Sequence, residues 1–218
     1  MYVFLFKRYL PTAIVGDLDS LDQDSKSYYA QNGVRIERDP SQDTTDFQKC
    51  LQFLESNQTR LLGSEKYFVV VLGGYGGRLD HTLHILKVLI NQCHNRKIYF
   101  LTNDNISFAL PNGENFIQTT KGVDGPTCGI LPLSGECTMS TKGLRWNVED
   151  TVTSVTGLMS TSNIIDDDQF GLESLPAYCS STYPKTPAPP HPCAGTNSSS
   201  RDFAAPSTIR SSTTLIDS

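Results

Sequence analysis

An open α/β unit, then an all-β sandwich, then a disordered Pro/Ser/Thr-rich tail is the architecture this 218-residue sequence predicts. Three observations carry it. Apolar runs alternate with stretches of 3.6-residue period up to about residue 101. The helical period then vanishes, and from 102 to about 163 short alternating runs stand between turn signals. From Pro176 to Ser218, 7 Pro, 9 Ser and 6 Thr make up 22 of 43 residues, which leaves little apolar surface to offset ordering entropy. The expected units are 1–101 (α/β), 102–170 (β-sandwich) and 171–218 (tail).

The apolar run Ala13-Ile14-Val15 reads as a strand that stops at Gly16 and an acidic turn. Ser20 and Gln23 have capping-box spacing and Gly33 suits a helix end, so the sequence predicts a helix over 21–32. Phe47, Cys50, Leu51 and Leu54 fall at i, i+3, i+4 and i+7 of a second helix, entered through Asp43-Thr44-Thr45-Asp46. Tyr67 to Leu72 is a continuous apolar run, as in a strand covered on both faces, and it leads directly into the glycines of 73–77. Leu79, Leu83, Leu86, Ile90 and Cys93 mark the buried stripe of a third helix, and Lys97 to Leu101 returns as a strand. Beyond it, Asn112-Gly113, Asp124-Gly125, Ser134-Gly135 and Lys142-Gly143 punctuate the β region.

Charge and cysteine usage exclude several classes of function. With 18 Lys and Arg against 23 Asp and Glu, the net charge of -5 offers no field for a nucleic acid backbone or an anionic membrane. A phosphate ligand would have to arrive with a cation. The six cysteines form no CxxC pair and no zinc-ligand spacing, so reduced thiols in a cytoplasmic protein are expected. The opening MYVFLFKRYLP carries no basic residue ahead of its apolar run and no small-residue cleavage site, and no stretch reaches membrane-spanning length.

Three loops carry candidate chemistry. In Gly16-Asp17-Leu18-Asp19-Ser20, extended geometry would place the two carboxylates on one face, about 6 to 7 Å apart. Such a pair repels by roughly 2 to 3 kcal/mol at an effective dielectric near 20, which favours a bridging cation such as Mg²⁺. A solvated turn with Ser20 as helix cap explains the same residues. Gln42-Asp43-Thr44-Thr45-Asp46 adds carboxylates and hydroxyls at a helix start, which the helix dipole alone would also favour. Gly73-Gly74-Tyr75-Gly76-Gly77-Arg78-Leu79-Asp80-His81 is the sharpest signal: its glycines allow close backbone approach to an anion, and Arg78 supplies a charged fork. It is neither a Walker P-loop nor a dinucleotide GxGxxG. His81 and His84, three apart, read as hydrogen-bonded helix residues. Trp146, the only tryptophan, is either a core residue or a stacking platform, and Ser160 to Asn163 is either an ordinary turn or a polar contact for a ring edge.

As a set, GDLDS, QDTTDF, GGYGGRLDH, TCGILPL, TKGLRWNV and STSN, in this order and at these intervals, resemble the thiamine pyrophosphokinase family. The resemblance runs from about Leu10 to Asn163. It implies an α/β ATP-binding domain followed by a thiamine-binding β-sandwich, in a homodimer whose sites lie at the subunit interface. Asp17, Asp19 and Asp46 would then hold Mg²⁺ and the diphosphate; Gln42 and Thr45 would line ATP, and Arg78 and Asp80 would border the phosphates. Gly73, Gly74, Gly76 and Gly77 would supply backbone donors, and Trp146 would stack on thiamine across the interface with Ser162 and Asn163 near it. The implied reaction moves the terminal diphosphate of ATP onto the thiamine hydroxyl and releases AMP. The resemblance also implies a strand with an Asp-Gly-Gly loop ahead of Ala13 and glycine-containing strands after Asn163. Neither motif stands in this sequence, so the expectation is a sheet short of its first strand and a sandwich short of its last ones. A relative that dimerises or binds ligand without turnover is the competing reading.

Overall fold

The computed structural model describes residues 10–63, 67–120, 122–174 and 177–182. The chain opens with β1 (Ala13–Gly16), α1 (Gln23–Gln31) and β2 (Arg35–Arg38), a β-α-β unit whose two strands pair in parallel from Ala13 with Arg35 to Gly16 with Arg38. The cap of α1 is Asp22, two residues beyond the expected Ser20. The Leu21 amide bonds back to the Leu18 carbonyl, so residues 18–21 form a turn and the helix starts after it. Asp22 accepts the Ser25 amide at 2.8 Å and the Ser25 hydroxyl at 2.7 Å, and these bonds hold its carboxyl below the usual carboxylate range.

Next come α2 (Asp46–Leu62), β3 (Val69–Leu72), α3 (Leu79–Gln92) and β4 (Ile98–Leu101), with β3 and β4 parallel. Phe47, Val71, Ile85, Val88, Leu89, Ile98 and Phe100 form the core shared by the two helices and two strands. Two expectations are corrected here. β3 is covered on one face only: Val71 is buried against the helices, while Val70 and Leu72, which alternate to the other face, are exposed. α3 buries Ile85, Val88 and Leu89, not the stripe through Leu79 and Leu83, which are 70% and 57% exposed. The apolar surface of α3 is wider than one stripe, and the part that fits over Phe100 and Val71 is the part that becomes core.

The β-rich half contains β5 (Asn105–Leu110), β6 (Gly113–Gln118), β7 (Thr127–Leu131), β8 (Cys137–Lys142), β9 (Thr151–Thr153), β10 (Ser160–Ile164), β11 (Gln169–Ser174) and β12 (Ala177–Thr182). They lie in two sheets, ordered β10-β7-β12-β5-β4-β3 and β6-β11-β8-β9. Leu110, Cys128 and Ile130 from the first sheet meet Met139, Phe170 and Leu172 from the second in one apolar core, which makes the pair a sandwich. The larger sheet also crosses the 101/102 boundary: β4 pairs with β5, Tyr99 opposite Phe108.

The expectation that strand structure stops near 170 is corrected as well. β11 lies between β6 and β8, and β12 lies between β5 and β7, so both are central strands of their sheets. Composition did not reveal them because a central strand is held by ladder hydrogen bonds on both edges, which a Ser- and Thr-rich segment can make as well as an apolar one. The tail expected over 183–218 and the reading of 1–9 fall outside the described residues. Among the described residues no helix is long and apolar enough to cross a membrane, and Cys50, Cys93, Cys128 and Cys137 are free thiols.

Candidate functional site

The first acidic loop leaves β1 at Gly16 and turns at once. Leu18 sits at φ 66, a left-handed conformation uncommon for a side chain of its size, and the Asp19 amide donates to Asp17 Oδ1 at 3.0 Å. The extended arrangement that would put Asp17 and Asp19 on one face is therefore broken at Leu18. Asp17 turns in toward the fold and Asp19 remains exposed.

The partner that Asp17 meets is Asp46, 29 residues on. Asp46 Oδ1 accepts the Asp17 amide at 3.3 Å, and the carboxylate lies so close to Gly16 that a Cβ there would sit 2.9 Å from Oδ1. A glycine at 16 is what allows the second loop to seat against the first. Asp46 lines a small cavity with Ile14, Val15, Gly16, Leu18, Ser20 and Leu21; neither Asp17 nor Asp19 is in its wall. Behind the carboxylate stands Lys49, with its ammonium 3.7 Å from Asp46 Oδ1 and its side chain 2% exposed. Sequence reading passed over Lys49, although an opposite charge three residues along a helix was there to be seen. Arg38, at the end of β2, donates from Nε to the Asp17 carbonyl at 3.3 Å and brings a second cation to this corner.

Thr45 is the N-cap of α2 and forms a capping box with Gln48: the Thr45 amide donates to Gln48 Oε1 at 3.2 Å. Its hydroxyl also lies 3.4 Å from that oxygen. Thr44 Oγ1, next to the cap, is buried with no hydrogen-bond partner among the described residues. Gln42 is exposed, and its amide nitrogen reaches only the Pro40 carbonyl, at 3.4 Å.

The glycine loop leaves β3 beside this corner. Gly73, Gly74, Gly76 and Gly77 all take positive φ, from 70 to 112. At Gly74 two demands coincide, since a Cβ would also meet the Phe100 ring at 2.8 Å. Phe100 carries Phe47 of α2 edge-on at 5.3 Å and Tyr75 of the glycine loop at 5.1 Å, so one buried ring fixes both loops. The Ser107 hydroxyl donates to Tyr75 Oη at 3.0 Å and ties the loop to the β-rich half. The Gly73 amide is already used, donating to the Leu101 carbonyl at 2.7 Å; among the described residues the amides of Gly74, Gly76 and Gly77 have no protein acceptor. Arg78 and Asp80 bond each other in a fork, Nε to Oδ1 at 3.1 Å and Nη2 to Oδ2 at 2.5 Å, both well exposed. The bonds from Arg78 hold the Asp80 carboxyl below the usual carboxylate range.

In the β-rich half, Trp146 is 58% exposed, with the Arg145 guanidinium 5.9 Å from its ring centre and paired in turn with Asp166 at 2.7 Å. Asn163 is buried and clamps the Trp146 backbone from both sides, accepting its amide at 3.2 Å and donating to its carbonyl at 2.9 Å. The structure thus uses Asn163 to hold the Trp146 backbone in place. Ser162, at φ 59, forms the exposed bulge beside it. Asp166 also lines a cleft of about 160 Å³ with Thr119, Asp124, Pro126 and Ile165.

Among the described residues no group of three or more His, Cys, Asp or Glu side chains converges as a metal cage. The donors present are the carboxylates of Asp17 and Asp46, at a corner that also holds Lys49 and Arg38. That set fits Mg²⁺, which takes one or two carboxylates and completes its shell with water and phosphate oxygens.

The family model described as the thiamin pyrophosphokinase catalytic domain matches residues 3–100, and that of the thiamin pyrophosphokinase vitamin B1 binding domain matches 114–173. Thiamine pyrophosphokinase 1 of rice is 38% identical over 172 residues, covering 77% of this chain and 64% of that protein. Thiamine pyrophosphokinase of Saccharomyces cerevisiae is 30% identical over 202 residues, covering 72% of this chain and 63% of that one. The chain thus spans less than two thirds of the length of these relatives. The solved structures of thiamin pyrophosphokinase from Candida albicans and from yeast superpose with TM-scores of 0.71 and 0.72 at 26% identity, each over 81% of this chain and over 74% and 70% of theirs. Two family models spanning both halves, relatives in plants and yeast, and neighbours with the same pairing of α/β unit and sandwich together show that this chain belongs to the thiamine pyrophosphokinase family.

Proposed function

We propose that this chain is a thiamine diphosphokinase, which transfers the terminal diphosphate of ATP to the hydroxyl of thiamine and releases AMP. The observation that carries the proposal is the contact between the first two loops, the Asp17 amide on the Asp46 carboxylate against Gly16, with the glycine loop held beside them through Phe100. It gathers carboxylates, cations and unused amides at one edge of the fold, which is what a metal-bound triphosphate requires.

In this reading two of the three expected carboxylates, Asp17 and Asp46, would hold Mg²⁺ with Asp19 exposed beside them, and Gln42 and Thr45 would line the nucleotide. Bound there, the ion would neutralise charge developing on the phosphate oxygens. The free amides of Gly74, Gly76 and Gly77 donate to those oxygens, and Arg78 releases one arm of its fork to do the same. Asp80 or Asp46 accepts the proton of the thiamine hydroxyl as its oxygen bonds to the β-phosphorus and the bond from that phosphorus to the AMP oxygen breaks. Trp146, held by Asn163 and flanked by Ser162, supplies the stacking surface for thiamine, and a second copy of the chain brings it to the site. The protein acts as a cytoplasmic homodimer. Purified protein given ATP, Mg²⁺ and thiamine is expected to release AMP in step with thiamine diphosphate. AMP release no greater than in a control without thiamine would refute the assignment.

A further inference from the structure

The two phosphate loops are joined by a hydrogen-bond relay. Gln48 Oε1 lies 3.2 Å from the Thr45 amide, 3.4 Å from the Thr45 hydroxyl and 3.0 Å from Nε2 of His84 on α3. A backbone amide can only donate, so the atom of Gln48 facing it is the carbonyl oxygen; an oxygen that only accepts requires a proton on His84 Nε2. This fixes the imidazole as an Nε2–H donor. His84 stands four residues after Asp80, one turn further along α3. The bond therefore runs from the base of the third loop to the cap of the helix that starts with Asp46.

We propose that His84 is a positioning residue for the nucleotide site: by donating through Nε2 to Gln48 it sets the α2 cap, with Thr45 and Asp46, against the Arg78–Asp80 loop. The proposal rests on the reading of these loops as the ATP site. His84 touches neither substrate nor metal in this arrangement. Its effect passes through Gln48, so it belongs to nucleotide affinity and leaves thiamine affinity alone. The relay is separate from the Phe47–Phe100 packing, which would survive loss of the imidazole donor.

The test uses the isostere logic of amide side chains, in which a Gln nitrogen falls near the place of histidine Nε2 and an Asn nitrogen near that of Nδ1. Full-length His84→Ala, His84→Asn and His84→Gln are compared with the parent for KM of ATP, KM of thiamine and melting temperature. Loss of one ordinary hydrogen bond predicts a rise of roughly fivefold in the ATP KM for Ala and Asn, recovery in Gln, and an unchanged thiamine KM. Equal ATP KM in Ala and the parent, Gln no better than Asn, or a parallel rise of both KM values with falling melting temperature would each overturn the proposal. A second readout needs no turnover: hydrogen exchange at the Thr45 amide, expected to quicken in Ala and Asn and to return to the parent rate in Gln. Identical exchange in all four proteins would overturn the relay. Absence of AMP from the parent would instead sink the activity reading and leave the exchange result to judge the relay.

Discussion

Gly16 and Asp46 show how a single missing Cβ can shape a site. The carboxylate occupies the space a side chain at 16 would need, with Cγ at 3.0 Å and both oxygens within 3.2 Å of the missing atom. Gly16→Ala leaves the backbone of β1 acceptable but rotates or displaces Asp46, breaking its bond with the Asp17 amide. A misplacement of about 1 Å in a catalytic constellation can cost about a hundredfold, so AMP formation is expected to fall by at least about tenfold with little change in melting temperature. Unchanged turnover would mean that Asp46 is not positioned by this contact. The Arg78–Asp80 fork makes a prediction about pH. The bonds from Arg78 depress the Asp80 pKa, so the ionised pair is intact above the ordinary carboxylate value and is lost only as pH falls through the lower, folded value. In Arg78→Ala the Asp80 carboxyl should titrate at higher pH than in the parent, as followed by its carbon chemical shift. An unmoved midpoint would show that the pair does not persist in solution.

The elements that sequence made legible are those whose signals are local. The strand-to-turn junctions at Gly16 and Gly73, the capped start of α2 and the helical period of α3 are each written within a dozen residues, and each is present. What could not be read depends on partners far along the chain: Asp17 with Asp46, Gln48 with His84, and the choice of Ile85 over Leu83 as the face of α3 that meets Phe100. β11 and β12 belong to the same group. Phe170 and Leu172 are an isolated apolar pair in sequence, yet both are 1% exposed because they alternate inward on a strand clasped by β6 and β8. Phe170→Ala should destabilise the fold by about 3 to 5 kcal/mol, as emptying a closely packed aromatic site does. Urea denaturation would measure it, and a loss below about 1 kcal/mol would place Phe170 outside the core, since even a single buried methylene counts for nearly that much.

The two halves of the molecule are joined by a sheet and by packing, and this governs how it should unfold. β4 pairs with β5 across the junction, the Ser107 hydroxyl reaches Tyr75, and Ala109, Leu131 and Leu133 of the β-rich half pack against the helical core around Phe100. The proposed thiamine surface at Trp146 and the proposed phosphate corner at Asp46 thus stand on one continuous scaffold, so that each copy of the proposed dimer would hold its share of both sites in a fixed relation. Separating the halves would strip the β4–β5 ladder and expose apolar surface on both sides, a cost that disfavours an intermediate with one half melted. The described α-helices all precede residue 93 and the sole tryptophan lies at 146, so helical ellipticity and tryptophan fluorescence report on opposite halves. The two signals are expected to trace one coincident urea transition with the same midpoint and slope. Midpoints that differ beyond error would show the shared sheet to be too weak to couple the halves, and a β-rich half that outlasts the helices would put the weak point at the β4–β5 ladder.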